Sequence, residues 1–243
     1  SLKPNIDLFG LPIRWIPETI QWSNYVDVWA GEKSIAPFFL NSTIVAVARV
    51  FGELFTASLA GYAFARLRFP GSGKVFTLYL ATAIIPSQLL LVPRFMYFQQ
   101  LSIYDTLLAL ILPGMFTVLG TFLMRQYFSN VPRELAEAAR IDGASEWRIY
   151  WRIYLPLARP VLAALGILSF VWSWNDYEAP LVLLTSEENY TIPLGLTNFT
   201  DENGGLSAGL AMAASVSSVV PVILVFLLLQ KRFIQALTHS GLK

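Results

Sequence analysis

Apolar residues in this 243-residue chain gather into five long runs, at 38–67, 74–98, 105–126, 160–180 and 207–231, with polar stretches between them. A helix needs about 20 mostly apolar residues to cross the hydrocarbon core of a bilayer. Each run approaches or exceeds that length, so the pattern predicts an all-α, polytopic transmembrane helix bundle. The first run is interrupted by Arg49 and Glu53, yet it stays apolar on both sides of them. No internal repeat or low-complexity tract appears, and residues 1–243 read as a single membrane domain. Pro86, Pro93, Pro113 and Pro221 fall inside runs and predict kinks whose freed carbonyls neighbouring helices satisfy.

The distribution of charge orients the bundle. When the five runs alternate across the membrane, one face receives Arg66, Arg68, Lys74, the six arginines from Arg125 to Arg159, Lys231, Arg232 and Lys243. The other receives Lys3, Arg14 and Lys33 together with most of the acids. Lys and Arg concentrate on the cytoplasmic side of membrane proteins. The segment 132–158 and the C-terminus are therefore expected in the cytoplasm, and the segments 1–37 and 181–206 outside. An outer segment beginning "SLKPNIDLF" has neither an initiator Met nor a signal-like apolar region to carry it across. The full-length polypeptide is thus expected to have six spans, with the first missing here. Trp15, Trp22, Tyr25 and Trp29 in that segment read either as contacts to an external partner or as an interfacial aromatic collar.

Composition strengthens the membrane reading. The chain is 55% hydrophobic and 14% charged, against about 25% charged in soluble domains. It holds no cysteine, which removes disulfides, thiol catalysis and Cys-ligated metals together. A net charge of +1 gives no reason to expect a nucleic-acid partner. His239 stands without companions for a metal site. Asn41, Asn189 and Asn198 match N-x-[ST], a pattern too short to carry weight.

Charge returns in the cytoplasmic stretch "ELAEAARIDGASEWRIYWRIYLP", residues 134–156. Glu134 to Ile141 are good helix formers behind Pro132, and Gly143 suits the left-handed residue that closes a helix. Ser145 begins a second helix without a full capping box, because Arg148 stands where Glu or Gln completes one. Pro156 and Pro160 separate that helix from the next span. Three readings compete: a surface helix with Trp147, Ile149, Tyr150, Trp151 and Tyr154 in the headgroups, an ordinary loop, and a docking element for a cytoplasmic subunit.

The spacing E-A-A-x3-G-x9-I-x-L-P is met by Glu137, Ala138, Ala139, Gly143, Ile153, Leu155 and Pro156. It resembles the cytoplasmic signature of permease subunits of ABC importers. "NSTIVAV", "GYAFARLRFPG", "VPRF", "IDGAS", "WSWNDYEAPL" and "QKRFIQALTHSGLK" resemble the carbohydrate, MalG-like branch, and the resemblance covers essentially the whole chain. The tail departs from the family at Ala236 and at His239-Ser240.

The resemblance implies a permease half of an ATP-driven sugar importer in the cytoplasmic (inner) membrane of a bacterium or archaeon. Its partners would be a second homologous permease, two ATP-binding cassette subunits and an extracytoplasmic sugar-binding protein. It also implies that Glu137, Ala138, Ala139, Asp142, Gly143, Ala144 and Ser145 dock on an ATPase. Asn189, Tyr190, Thr191, Asn198 and Asp201 of the outer loop would meet the binding protein. ATP and Mg would be held by the partner, leaving this subunit without catalytic residues, cofactor or metal. The phosphate-loop test agrees: "GSGK" at 71–74 has Arg68 where the first Gly belongs and Val75 where Ser or Thr belongs.

Arg49 and Glu53 lie one helical turn apart and can pair on one face, and they read either as an internally paired brace or as a polar lining of the translocation path or a link to the partner permease. Trp174, Asn175 and Asp176 read as a sugar-contacting group or as the fixed start of the outer loop. A permease for another solute, such as glycerol phosphate or an amino acid, stays open as an alternative. So does an ion-coupled secondary transporter, which would be expected to show inverted repeats or ionisable residues in several spans.

Overall fold

The computed structural model describes residues 1–3, 19–31, 34–199 and 208–240, with the side chains of Leu229 and 231–240 left aside. Regular structure among the described residues is entirely helical. In chain order the α-helices are α1 (Ser23–Ala30), α2 (Ala36–Arg66), α3 (Ser72–Ala81), α4 (Leu91–Gln100), α5 (Leu107–Gly114), α6 (Val118–Asn130) and α7 (Glu134–Ile141). They continue with α8 (Glu146–Ile149), α9 (Leu155–Leu157), α10 (Arg159–Trp174), α11 (Glu178–Leu183), α12 (Ile192–Gly195) and α13 (Ala208–Ser240).

Three stretches are long and apolar enough to cross a membrane: Ala36–Arg66, Leu107–Asn130 and Ala208–Leu228. Two bent pairs raise the number to five, namely Ser72–Ile84 with Ser87–Gln100, bent by 90°, and Glu146–Leu157 with Arg159–Trp174, bent by 75°. The expected kink at Pro86 is therefore a right-angled break. Pro93 lies in the first turn of α4 without interrupting it, and Pro221 sits inside α13. The fourth expected span, 160–180, ends as a helix at Trp174, and 178–183 forms the separate α11.

Helix α2 is the centre of the bundle, packed against α5, α6, α10 and α12, while α10 also packs on α13. The α2–α6 contact is close because it is built on small residues, as in membrane helix pairs generally. A Cβ on Gly61 would fall 2.8 Å from the backbone nitrogen of Arg125 and 2.6 Å from the Met124 Cβ. At the C-terminal end of α2 Arg66 donates to the carbonyls of Phe128 and Val131, so the last turn of α6 is closed by the last residue of α2. The buried core there joins Ala57, Tyr62, Met124, Phe128, Ile149, Tyr150 and Tyr154.

Helix α1 lies on α13, where the Trp29 indole donates to the Ser217 hydroxyl at 3.3 Å. Trp22 is exposed, and Trp15 lies outside the described residues.

Replacing Gly61 by Leu is expected to push α2 away from α6 and lower stability by about 1–3 kcal/mol, as overpacking does. Gly73→Leu, at a site with nothing within 4 Å of the added Cβ, is the control. Thermal unfolding of the two variants in one detergent measures the difference.

Candidate functional site

The charged stretch folds as the sequence predicts at its centre. Helix α7 ends on Asp142, and Gly143 takes φ +78°, the left-handed region that favours glycine. The Gly143 amide donates to Arg140 O at 3.0 Å and the Ala144 amide to Ala139 O at 2.9 Å. These two bonds form the paired closure of a Schellman turn and satisfy carbonyls that a helix end otherwise leaves open. Nothing lies within 4 Å of a Cβ added at Gly143, so backbone conformation alone calls for glycine there. Ser145 then accepts from the Arg148 amide at 3.4 Å and caps α8.

Glu146, which the sequence reading passed over, ties this turn to the membrane domain. Its carboxylate accepts from the Tyr62 hydroxyl at 2.8 Å and from Arg140 Nε at 2.7 Å. Tyr62 belongs to α2 and Arg140 to α7, so one side chain holds both helices. The bond from Arg140 keeps the Glu146 carboxyl below the ordinary carboxylate range, against the opposing effect of burial.

The aromatic residues that follow divide into two groups, which disagrees with one of the three readings left open, the helix with all five apolar residues in the headgroups. Trp147 and Trp151 are exposed, but Ile149, Tyr150 and Tyr154 are buried. Tyr150 shares a 2.8 Å hydrogen bond with Ser58 of α2. A π-helical turn over Tyr150–Tyr154 continues α8 into α9, with the Leu155 amide bonded to Tyr150 O. Pro156 therefore lies inside the helical run, and the break falls at Ala158.

The docking residues implied by the motif also divide. Glu137, Ala138, Asp142, Gly143 and Ser145 face outward, whereas Ala139 and Ala144 pack partly against the core. Ile141 is 87% exposed at the tip of the turn.

Within the spans, Arg49 and Glu53 do not pair, contrary to the brace reading. Arg49 Nη1 reaches Asp176 at 3.0 Å, crossing α5 at Gly114, where a Cβ would sit 2.0 Å from its Nε. Glu53, 2% exposed, accepts from the Thr117 hydroxyl, beside Gly120. Each charge leaves its own helix because a glycine on the facing helix gives it room. Leaving the pair unsatisfied would cost each charge about 2.5–3.5 kcal/mol on the insertion scale. Trp174 is not free to stack on a ligand: it is buried, with its indole donating to Ser218 O at 2.9 Å. Asn175 donates to Val171 O of its own helix at 2.8 Å. Of this trio only Asp176 meets the polar cluster, which also includes Arg94, Ser87 and Glu178 around a pocket of about 230 Å³.

Away from this turn, Asp105 organises the loop that the resemblance assigns to a binding protein. Its Oδ1 accepts from the amides of Thr185 at 2.8 Å and Ser186 at 3.0 Å, and its carbonyl accepts from Asn189 at 2.7 Å. Desolvation pushes its carboxyl up, but the Ser186 hydroxyl and the two amides outweigh this and hold the pKa at about 2. The expected contact residues are turned to internal bonds: Asn189 to Asp105, the Tyr190 hydroxyl to Thr185 O, and Asn198 to Glu187. Thr191 is 4% exposed, so its side chain does not face outward. Asp201 lies outside the described residues. Asn41 donates to Glu188 O and Tyr190 O and pins the same loop to α2.

A broken-helix membrane bundle carrying an exposed, glycine-closed helical turn defines a transport permease of the ABC importer class. The chain belongs to the family of binding-protein-dependent transport system inner membrane components, whose family model matches residues 57–239. Among its relatives, the arabinooligosaccharides transport system permease protein AraQ of Halalkalibacterium halodurans is 34% identical over 245 positions, covering 100% of this chain and 88% of that protein. The sn-glycerol-3-phosphate transport system permease protein UgpE of Yersinia enterocolitica is 34% identical over 240 positions, covering 96% and 85%. The crystal structure of a bacterial ABC transporter involved in the import of the acidic polysaccharide alginate matches with a TM-score of 0.81 at 26% identity, over 90% of this chain and 81% of that one.

Tyr62→Phe and Glu146→Gln, alone and together, are expected to give a coupling energy of about 1 kcal/mol in a double-mutant cycle. That is the low end for a bond to a charged group, because the Glu146 side chain is 43% exposed. The Asp105 contribution is present above the ordinary carboxylate pKa of about 4 and is lost as pH falls toward about 2. Asp105→Asn should therefore raise hydrogen exchange at the Thr185 and Ser186 amides at neutral pH, whereas the unsubstituted chain should show that rise only in acid.

Proposed function

We propose that this chain is one permease half of an ATP-driven sugar importer, docking on a cytoplasmic ATPase through the α7–α8 turn. The observation that carries the reading is the turn itself. It presents Glu137, Ile141, Asp142 and Gly143 outward, while Glu146, Arg140 and Tyr150 fix it to α2. A docking point passes subunit motion into a membrane domain only if the joint between them is stiff. Both bonds to α2 and the doubly bonded glycine turn supply that stiffness.

On this reading the turn and the C-terminus lie in the cytoplasm, ATP and Mg bind to the partner ATPases, and this chain itself hydrolyses nothing. A second homologous permease completes the pathway, and an extracytoplasmic binding protein delivers solute to the face that carries Asp105 and the loop 185–199. Glu187 and Glu188, exposed on that loop, form the contact surface. The AraQ and alginate relatives support a carbohydrate as solute. The UgpE relatives support a second reading, a phosphorylated polyol.

Gly143→Pro and Glu137→Arg are expected to abolish solute uptake while the chain still inserts and assembles with its partner permease. Proline fixes φ near −65°, which is incompatible with the +78° found here. Gly143→Ala, strained by only about 1–2 kcal/mol, should retain partial uptake. Reconstituted assemblies assayed for uptake and for binding-protein-stimulated ATP hydrolysis provide the measurement, and full uptake by both disruptive variants would sink the docking assignment.

A further inference from the structure

The broken span carries a site that neither the motif nor the family match assigns. Between Ile84 and Ser87 the backbone leaves the helix, with Ile85 at ψ 116° and Pro86 at ψ 132°, and the two halves meet at 90°. Every residue from Ala81 to Leu90 is exposed on this chain. Irregular backbone at membrane depth cannot face lipid, where its polar groups would go unsatisfied; it is tolerated where it lines a water-filled cavity or is covered by protein. Discontinuous helices of this kind form the solute sites of many transporters.

The side chains next to the break are polar. Gln88 Nε2 donates to Glu178 Oε2 at 3.1 Å. Behind them the pocket of about 230 Å³ is lined on its polar side by Ser87, Arg94, Arg49, Asp176 and Glu178. Arg49 already holds Asp176, and Arg94 lines the same pocket. Two arginines face two carboxylates, and the site is neutral as a whole. Guanidinium groups only donate and carboxylates only accept, whereas a hydroxyl does both. A hydroxyl-rich ring can therefore engage both kinds at once, while an anionic solute would meet Asp176 and Glu178 and a cationic one Arg49 and Arg94. The volume lies below the roughly 300–1,000 Å³ of sites for drug-sized ligands, which suits one ring rather than a chain of them.

We propose that this pocket is a subsite for one uncharged, hydroxyl-bearing sugar ring during translocation, contacted directly by Ser87, Arg94 and Glu178 of this chain, with Gln88 bonded to Glu178 beside it. The proposal rests on the sugar-import reading above.

The absence of cysteine from the chain makes the test direct. Gln88→Cys, with Ser87→Cys as a second position should the first fail to assemble, is placed in the complete importer in proteoliposomes. The rate of modification by a membrane-impermeant thiol reagent is then measured in the nucleotide-trapped state. The cysteine is expected to react, and a neutral arabino-oligosaccharide at ten times its dissociation constant should slow the reaction about tenfold. An alginate-derived uronate oligosaccharide and sn-glycerol 3-phosphate should leave the rate unchanged. Adding Glu178→Gln, which leaves the site with one excess positive charge, should let the uronate protect as well.

Cysteines that stay unreactive at both positions overturn the proposal, because the break is then covered rather than wet. Reaction that the neutral sugar does not slow, in an assembly that imports that sugar, overturns it too. Protection by the anions with the native Glu178 in place overturns the chemical class. Failure of the unsubstituted importer to take up any sugar defeats the sugar-import reading, and the subsite falls with it.

Discussion

In hydrocarbon, every charge and every interruption of a helix has to be met by a partner inside the protein, and this chain is arranged around that requirement. Helix α2 carries the two charges that cost most, and both are met by other helices: Arg49 by Asp176 past α10, and Glu53 by Thr117 before α6. The interruption between α5 and α6 is met in the same way. Thr56 donates to the Met115 carbonyl, and Tyr79 donates to the Thr117 carbonyl at 3.0 Å. Partnering of this kind fixes which helices are neighbours more strictly than apolar packing does, because lipid tails compete equally well for apolar surface.

At the end that carries the α7–α8 turn the same logic operates. A helical turn joined to a span only by flexible chain would dissipate any displacement imposed on it. Here the joint is made rigid by the Schellman bonds at Gly143, by the caps at Ser145 and Arg66, and by the buried tyrosines beneath. Glu146 is central because it is shared: its two oxygens take one bond from α2 and one from α7.

Much of this was legible in the sequence, and the rest was not for identifiable reasons. The αL glycine and the cap at Ser145 follow from local rules and are present, whereas of the five apolar runs three are stretches long enough to cross a membrane and the other two fall in bent helix pairs. The partners of Arg49 and Glu53 were not legible, because one-turn spacing describes an isolated helix and says nothing of Gly114 and Gly120 on a neighbour. A glycine recurring opposite a charged position was the available signal, but it can be read only once the pairing of helices is known. For Tyr150 and Tyr154 the sequence left a headgroup position and a docking position both open. Ser58 on α2 supplies the partner that lets Tyr150 be buried instead. The right-angled break was visible as a proline, whereas its size depends on Ile85 and Pro86 both being extended.

One consequence links the two ends. Helix α2 is a single unbroken rod of 31 residues, about 46 Å at 1.5 Å per residue. Near its outer end Asn41 holds the loop that Asp105 organises; at mid-length Arg49 reaches the pocket beside the broken span; at its inner end Ser58, Tyr62 and Arg66 hold the cytoplasmic turn and α6. The adjoining span 72–100 is broken where α2 is continuous. On the docking reading, displacement of the turn would be carried along α2 and taken up where the neighbouring backbone departs from the helix, at the Ile85–Pro86 bend as well as between α5 and α6. A stiff rod against a hinged neighbour would then convert a push on the turn into a change of pocket shape, which neither two rigid helices nor two broken ones would do.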